Sequence, residues 1–445
     1  MRVASAAPLA DEELEALFAP LAEAPLIALA VSGGADSLAL LDGVARWRAN
    51  RGGRPEAIVF TVDHGLRKGS AHEAVHVAKV ARARGFKARV LTWDGPKPQS
   101  DIEGRARAAR YRLLIDACRD AGATYLVVAH HQDDLAETFL LRLKRGAGVF
   151  GLAAMRPSLA VGDVTIVRPF LGIPRARLAA TTAAAGLMPV EDAMNSDPRF
   201  ERTKVRLLLP TLASEGLDPA MLAAAAWRLA DAADAIDAAA SALLGKVVTV
   251  DELAVASLDP VRFAEGPQEV RLRALARLLL AVGGDDYPPR YERLGGLLGA
   301  IQTHDAASRF KRTLGGTVTE VRGGRFLFYR EIGRAKLPNV TVQPGFKGVF
   351  DHRFAISIGV PGGEPGPARL TVGPLGEEGR RAVKATAGIH PAGALAALPA
   401  FRRNGRIIAV PALGYGVGNL PVTIRQIVGD RLARPPLFPD LAGSL

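Results

Sequence analysis

Leu26-Ile27-Ala28-Leu29-Ala30-Val31, followed at once by Ser32-Gly33-Gly34-Ala35-Asp36-Ser37, is the stretch from which the fold is read. An apolar run of strand length stops at a small, polar, double-glycine turn. A helical pattern of Leu38, Leu40, Leu41, Val44 and Trp47 then begins. Strand, tight turn and helix start together make a phosphate site. The glycines let backbone N–H groups approach the anion, the serines add hydroxyl donors, and the helix N-terminus carries partial positive charge. No lysine lies in the turn, so this is not the nucleoside-triphosphate loop that ends in Gly-Lys-Ser. Its glycine spacing also differs from the dinucleotide fingerprint. Taken alone, the stretch reads equally as a plain Gly/Ser turn.

The neighbouring sequence repeats the pattern. Residues 57–62 form a second apolar run, ending at Asp63-His64-Gly65-Leu66-Arg67, and a helical stretch follows to about Gly85. A third run covers Ala88 to Leu91. The spacing predicts a helix over 102–121, with Ile102, Ala106, Ala109, Leu113 and Cys118 on one side. A fourth run, Tyr125 to Ala129, ends at His130-His131-Gln132-Asp133-Asp134. Apolar runs alternating with helices imply an α/β fold with a parallel sheet covered on both faces. Ligands in such sheets collect beyond the carboxyl ends of the strands. Three of these ends carry polar clusters.

Farther on, a short strand (Val164 to Val167) precedes Pro174, read as the first residue of a helix, and an irregular loop from Pro189 to Arg199. A helix then opens with Arg202, Lys204 and Arg206. The first domain is expected to span 1–215. A mostly helical middle domain, 216–335, turns strand-like from Gly315 to Tyr329, with Gly323-Gly324 as a hairpin turn. Pro338 to Gly348 reads as a linker, and 350–445 as a small α+β module.

Composition narrows the setting. The 445 residues carry 57 basic against 45 acidic side chains, a formal net charge of +12, which favours a polyanionic partner over a merely solvated surface. A single cysteine, Cys118, builds no disulfide or zinc cluster within the chain, which fits a reducing, cytoplasmic location. The N-terminal Asp11, Glu12, Glu13 and Glu15 do not read as a secretory signal, and no apolar run reaches the roughly 18–20 residues that span a bilayer.

Among the chemical constellations, Asp133, Asp134, Glu137 and Thr138 sit where a helix begins, at spacings that share neighbouring faces. Helix capping explains one such carboxylate; three beside two histidines favour binding of a metal or a substrate cation. His130 and His131 lack the further His or Cys set that zinc needs. His64 is either a phosphate contact or an ordinary loop histidine. Arg105, Arg107, Arg110 and Arg112 form either a solvated face or a phosphate and RNA clamp.

Together these clusters resemble the PP-loop ATP pyrophosphatase superfamily and, within it, the tRNA(Ile)-lysidine synthases. The resemblance is carried by Ser32 to Ser37, Val62 to Arg67, Glu103-Gly104-Arg105 with Arg110-Tyr111, Ala129 to Asp134 with Glu137-Thr138, Arg142-Leu143, Arg145-Gly146, Gly151-Leu152 and Arg168-Pro169. It is detailed over roughly 25–210. Thr203 and Lys204 stand where that family tends to have Asn and Arg.

The resemblance implies an adenine nucleotide alpha hydrolase-like sheet and a ligase that forms a C–N bond. ATP would lie on Ser32, Gly33, Gly34, Ala35, Asp36 and Ser37, with Asp63 and His64 nearby, and Asp36 would be a Mg²⁺ contact. The enzyme would adenylate C2 of the wobble cytidine of a tRNA(Ile) bearing CAU. Free L-lysine would then displace AMP, changing codon reading from AUG to AUA. Asp133, Asp134 and Glu137 would recognise or deprotonate the lysine; His64, Arg110 and Arg112 would stabilise departing phosphates; Arg202, Lys204 and Arg206 would hold tRNA. The oligomeric state is left open, a homodimer included. A tRNA thiolase, which would need paired cysteines, and a catalytically silent ATP- or RNA-binding module are the competing readings.

Overall fold

The computed structural model describes residues 6–66, 69–95, 97, 102–190, 201–285, 287–305, 308–333, 337–359, 370–384, 390–416 and 421–433. Arg67, residues 191–199 of the expected loop and the side chains of Ile102 and Glu103 lie outside this set. The chain divides into two compact units, with the division between Ala233 and Asp234.

In the first unit the elements are α1 (Asp11–Phe18), β1 (Leu26–Ala30), α2 (Ala35–Ala49), β2 (Glu56–Asp63), α3 (Ser70–Ala83), β3 (Lys87–Thr92), α4 (Ile102–Ala121) and β4 (Tyr125–Val127). They continue with α5 (Gln132–Lys144), α6 (Val149–Leu152), β5 (Ser158–Val161), β6 (Val164–Val167), α7 (Arg175–Ala184), α8 (Glu201–Ser214) and α9 (Pro219–Val247), the last of which crosses the division. Pro174 is the N-cap of α7 rather than its first residue.

The described strands form a sheet of order β3-β2-β1-β4-β6-β5, parallel except for the β5–β6 hairpin. Strand β1 pairs with β2 on one side and β4 on the other, so the strand order reverses beside it. That reversal opens a crevice at the carboxyl ends of β1 and β4. Both faces of the sheet are covered because side chains alternate along each strand. Ile27 and Leu29 pack with Leu40, Leu41, Val77 and Leu178 on one face, while Ala28 packs with Phe60, Tyr111, Leu114 and Cys118 on the other. The uninterrupted apolar runs in the sequence follow from this two-sided burial.

The second unit holds β7 (Val248–Val250), β8 (Ala256–Leu258), α10 (Pro260–Ala264), α11 (Gln268–Gly283), α12 (Tyr291–Gln302), β9 (Lys311–Leu314), β10 (Thr317–Arg322) and β11 (Arg325–Arg330). It continues with β12 (Val340–Val342), β13 (Lys347–Phe350), β14 (Phe354–Ile358), β15 (Leu370–Pro374), α13 (Gly376–Ala382), α14 (Ala392–Ala396), β16 (Pro399–Arg403), β17 (Arg406–Ala409), β18 (Val422–Gln426) and α15 (Val428–Ala433). The expected mostly helical middle therefore also contains a sheet, β7-β8-β11-β10-β9. Two of its hairpins, β9–β10 and β10–β11, turn on Gly315-Gly316 and Gly323-Gly324. Positive φ at both glycines of each pair gives the turn hand that matches strand twist. The expected linker at Pro338 to Gly348 is corrected: Val340 and Val342 pair with β15, and Val342 is buried.

The first unit runs past the expected boundary near 215. Leu222, Ala223 and Ala226 of α9 pack with α5 and α8, and beyond the division Ala240 and Leu244 belong to the core of the second unit. Among the described residues no helix is long and apolar enough to cross a membrane.

Candidate active site

A cavity of about 460 Å³ opens at the carboxyl ends of β1 and β4. Its first wall is the loop from Ser32 to Ser37. Ser37 Oγ accepts from the amides of Ser32 and Gly33 at 3.2 and 3.1 Å and donates to the Gly34 carbonyl at 2.9 Å, which stitches the loop to the first turn of α2. Gly33 turns at φ +90°, and its carbonyl accepts from the Val190 amide. Gly34 is the N-cap of α2 and has no side chain to cap it. The first-turn amides of α2 therefore face the crevice without a side-chain acceptor, the arrangement that receives an anion.

The second wall grows from the end of β4. His131 is the N-cap of α5. Its Nδ1 accepts from the Asp134 amide at 3.3 Å, and its own amide donates to Asp134 Oδ2 at 3.2 Å. Its other ring nitrogen lies 3.3 Å from Asp134 Oδ2 and 3.5 Å from Asp36 Oδ2, joining the two strand ends. Burial disfavours a charge on this ring, but Asp134 and Asp36 outweigh it and raise its pKa.

Asp134 and Glu137 already carry arginine partners from the chain itself. Arg202 donates to Asp134 Oδ1 at 3.0 Å and to Glu137 Oε2 at 2.8 Å, while Arg206 grips both oxygens of Glu137 at 2.7 and 3.1 Å. Glu137 is 1% exposed. Burial alone would raise the Asp134 pKa; His131 and Arg202 hold it well below the usual carboxylate range. Asp133 accepts from the Arg175 amide at 2.9 Å.

The third wall is α4. Arg107 and Arg110 line the cavity and lie over the ring of buried Tyr111. Arg107 donates to His130 Nε2 at 3.3 Å. Burial brings the Arg107 pKa down to about 10, and burial with Arg107 keeps His130 well below the usual histidine range. Tyr111 is drawn down by Arg107 and Arg110 against a larger desolvation that would raise it, and the net shift is downward.

The structure brings Ser32, Gly34, Asp36, Ser37, His64, Arg110, Asp134, Arg202 and Arg206 to one cavity. Glu137 stands immediately behind it, through its arginines. Other expected residues lie elsewhere. Arg112 is exposed and outside the lining, since two residues beyond Arg110 a helix has turned by about 200°. Asp63 is not among the lining residues: its Oδ1 accepts from the Gly65 amide at 3.0 Å and from Ser70 Oγ at 2.5 Å. Arg202 and Arg206 do not form an outward basic face with Lys204; only Lys204 is exposed.

In the sequence, Arg107 is named only as one of four clamp arginines, His130 and His131 are weighed only as metal ligands, Tyr111 is given no role, and Arg175 is not singled out. Arg107 was detectable as one helical turn before Arg110.

For a magnesium ion, no group of three His, Cys, Asp or Glu converges among the described residues. Asp36 Oδ1, buried and without a hydrogen-bond partner among the described residues, is an unspent carboxylate oxygen beside the phosphate loop. One carboxylate plus substrate phosphates and water is how Mg²⁺ is commonly held, so the residues fit.

Residues 7–212 match a family model described as a PP-loop domain. The chain is 43% identical over 330 residues to a tRNA(Ile)-lysidine synthase of Bradyrhizobium, covering 71% of this chain and 92% of that one. It is 45% identical to the tRNA(Ile)-lysidine synthase of Methylobacterium nodulans, covering 67% and 88%. The similarity to that of Ruegeria pomeroyi, 34% identity, extends over 88% of this chain and 90% of the relative.

Proposed function

This chain belongs to the tRNA(Ile)-lysidine synthase family, and we propose that the cavity described above joins free L-lysine to C2 of the wobble cytidine of a tRNA(Ile) bearing CAU. The reaction has two steps. The cytidine C2 oxygen attacks the α-phosphorus of ATP, and the bond to the β-phosphate breaks, releasing pyrophosphate. The lysine ε-amine then adds to C2 and gives up a proton, and the C2–O bond breaks with release of AMP.

The free amides at the start of α2 bind the phosphates, with His64 alongside. Asp36 would hold Mg²⁺, which when bound supplies charge neutralisation at the phosphates. Arg107 and Arg110 stabilise the charge that develops on the phosphoryl oxygens, in a setting where burial strengthens them. Asp133 and Asp134 recognise the amine, while Glu137, held by Arg202 and Arg206 behind the cavity, supports Asp134 through Arg202. Asp134 serves as a counter-ion rather than a base, because a carboxylate held so acidic is a weak proton acceptor. Arg202 and Arg206 act inside the cavity, and Lys204 remains on the outer face as a contact for tRNA phosphates. Tail residues 350–445 would engage another part of the tRNA.

One observation carries this reading: a single ring, His131, touches both the phosphate-loop carboxylate Asp36 and the amine-facing carboxylate Asp134. The two halves of the reaction thus share one cavity. The test incubates the protein with ATP, labelled lysine and unmodified CAU-bearing tRNA(Ile), without a sulfur donor. Lysine incorporation with stoichiometric AMP and pyrophosphate is expected, and Asp36→Ala abolishes it. tRNA binding without AMP release would make the chain a silent module. Undiminished incorporation by Asp36→Ala would overturn the site assignment.

A further inference from the structure

Four buried polar side-chain atoms that lack a hydrogen-bond partner among the described residues belong to residues lining the same cavity: Asp36 Oδ1, Tyr111 Oη, Arg107 Nε and His130 Nδ1. The last two lie on one wall, joined by the Arg107–His130 contact of 3.3 Å. A guanidinium has only donors, so His130 Nε2 is the accepting nitrogen and the ring proton sits on Nδ1. His130 therefore holds an N–H with no acceptor among the described residues. A buried donor left unpaired costs about 1–3 kcal/mol, so a ligand acceptor that completes it binds with that advantage.

The place of this donor suggests which acceptor. His130 immediately precedes His131, whose ring lies between Asp36 on the phosphate side and Asp134 on the amine side. In the reaction proposed above, the pyrimidine must lie between those same two groups, because its C2 bonds first toward the α-phosphate and then to the amine.

We propose that His130, its tautomer fixed by Arg107, donates from Nδ1 to N3 of the target cytosine and so selects cytidine over uridine; this rests on the lysidine-forming reading. Cytosine N3 is an acceptor, whereas N3 of uracil carries hydrogen and would meet the histidine donor against donor. The same contact assists the second step. When the amine attacks C2, the C2–N3 π electrons move onto N3, where the N–H stabilises them. They return as the C2–O bond to AMP breaks, and the surplus amine proton passes to water. His130 keeps its proton throughout. Burial and Arg107 keep the ring uncharged, so the contact does not titrate in the neutral range. Arg107 is the positioning residue.

The experiment compares tRNA carrying cytidine, uridine or 3-deazacytidine at the wobble position, using the full chain. With wild type, the 3-deazacytidine tRNA, which also lacks the N3 electron sink and is therefore read by binding, inhibits with a Ki about 10- to 100-fold weaker than the Kd for the cytidine tRNA. His130→Ala weakens binding of the cytidine tRNA by a similar factor, binds the 3-deazacytidine tRNA equally well, and leaves the KM for ATP unchanged. His130→Asn, which retains an N–H near the Nδ1 position, recovers part of the cytidine preference. Arg107→Lys, still a donor to Nε2, keeps sensitivity to 3-deazacytidine, whereas Arg107→Met loses it. Thermal melts of each variant separate these effects from misfolding. A folded His130→Ala that still penalises 3-deazacytidine would overturn the proposal, as would one whose only change is a raised KM for ATP. Failure of wild type to form lysidine on the cytidine tRNA would instead overturn the underlying function.

Discussion

Gly33 shows how one residue sets the phosphate loop. Its φ of +90° is costly for a residue with a side chain, and a Cβ there would stand 2.8 Å from Val77 Cγ2 and 3.2 Å from Val190 Cγ2. Gly33→Ala is expected to cost about 1–3 kcal/mol of stability, read by urea unfolding, and to raise the KM for ATP about 10-fold or more. A variant with unaltered ATP affinity would show that the loop tolerates the strain without losing its function. This residue was legible in the sequence because its requirement is local: a strand, a turn and a helix start fix what the glycine must do. Asp63 was not. A carboxylate at a strand end serves equally as a ligand contact or as an acceptor for its own turn, and only the structure shows it bonding Gly65 and Ser70. The choice between Arg107 and Arg112 failed for another reason. Four arginines along a helix reveal their register only when the packed face is known, and that face is centred on Tyr111, Leu114 and Cys118.

Between elements, the contact of α5 with α8 organises the second half of the site. Asp134 and Glu137 lie one turn apart on α5, Arg202 and Arg206 one turn apart on α8, so the two pairs meet in register. Both helices were readable from their patterns. Their pairing was not, because it joins residues at least 65 apart in sequence, and a run of Arg and Lys at a helix start reads just as well as an RNA-facing surface. Asp134→Asn leaves Arg202 with one carboxylate fewer and is expected to destabilise the protein by about 3 kcal/mol at pH 7. The pH dependence has a definite sign. The Asp134 pKa is lower folded than unfolded, so its contribution is complete above the unfolded value near 3.8 and is lost as pH falls toward the folded one. Urea unfolding should therefore show a gap between wild type and Asp134→Asn that grows from neutral pH to about 5 as His131 protonates beside Asp134, and narrows below about 4. A gap that does not narrow below about pH 4 would contradict the Arg202–Asp134 pairing.

At the scale of the whole molecule, the helical middle and the Gly- and Pro-rich tail looked separable because their compositions differ and Pro338 to Gly348 reads as a linker. The second unit joins them physically. One apolar cluster runs from Ala240 and Leu275 through Phe328 to Phe350, Phe401 and Val428. Polar contacts reinforce it: Arg330 of β11 and Arg353 of the tail share the buried Asp351, and Arg277 of α11 donates to the Leu432 carbonyl at 2.5 Å. Strand β12, inside the supposed linker, has its partner β15 in the tail. Composition could not reveal this, since a shared core is a property of which surfaces meet rather than of either segment alone. Truncation after residue 349 should therefore do more than delete a tail. It removes Asp351 from Arg330, β15 from β12 and the apolar cover from α11, and a half-core of this kind has too little buried surface to offset its chain entropy. Limited trypsin digestion of the truncated chain should cut freely between 250 and 349 while a fragment covering the first unit survives. Asp351→Asn in the full chain should shift the same protease sites toward exposure without affecting the first unit, because two arginines would lose their shared carboxylate at once. If residues 250–349 stayed as protected in the truncated chain as in the intact one, the middle and the tail would be independent domains after all.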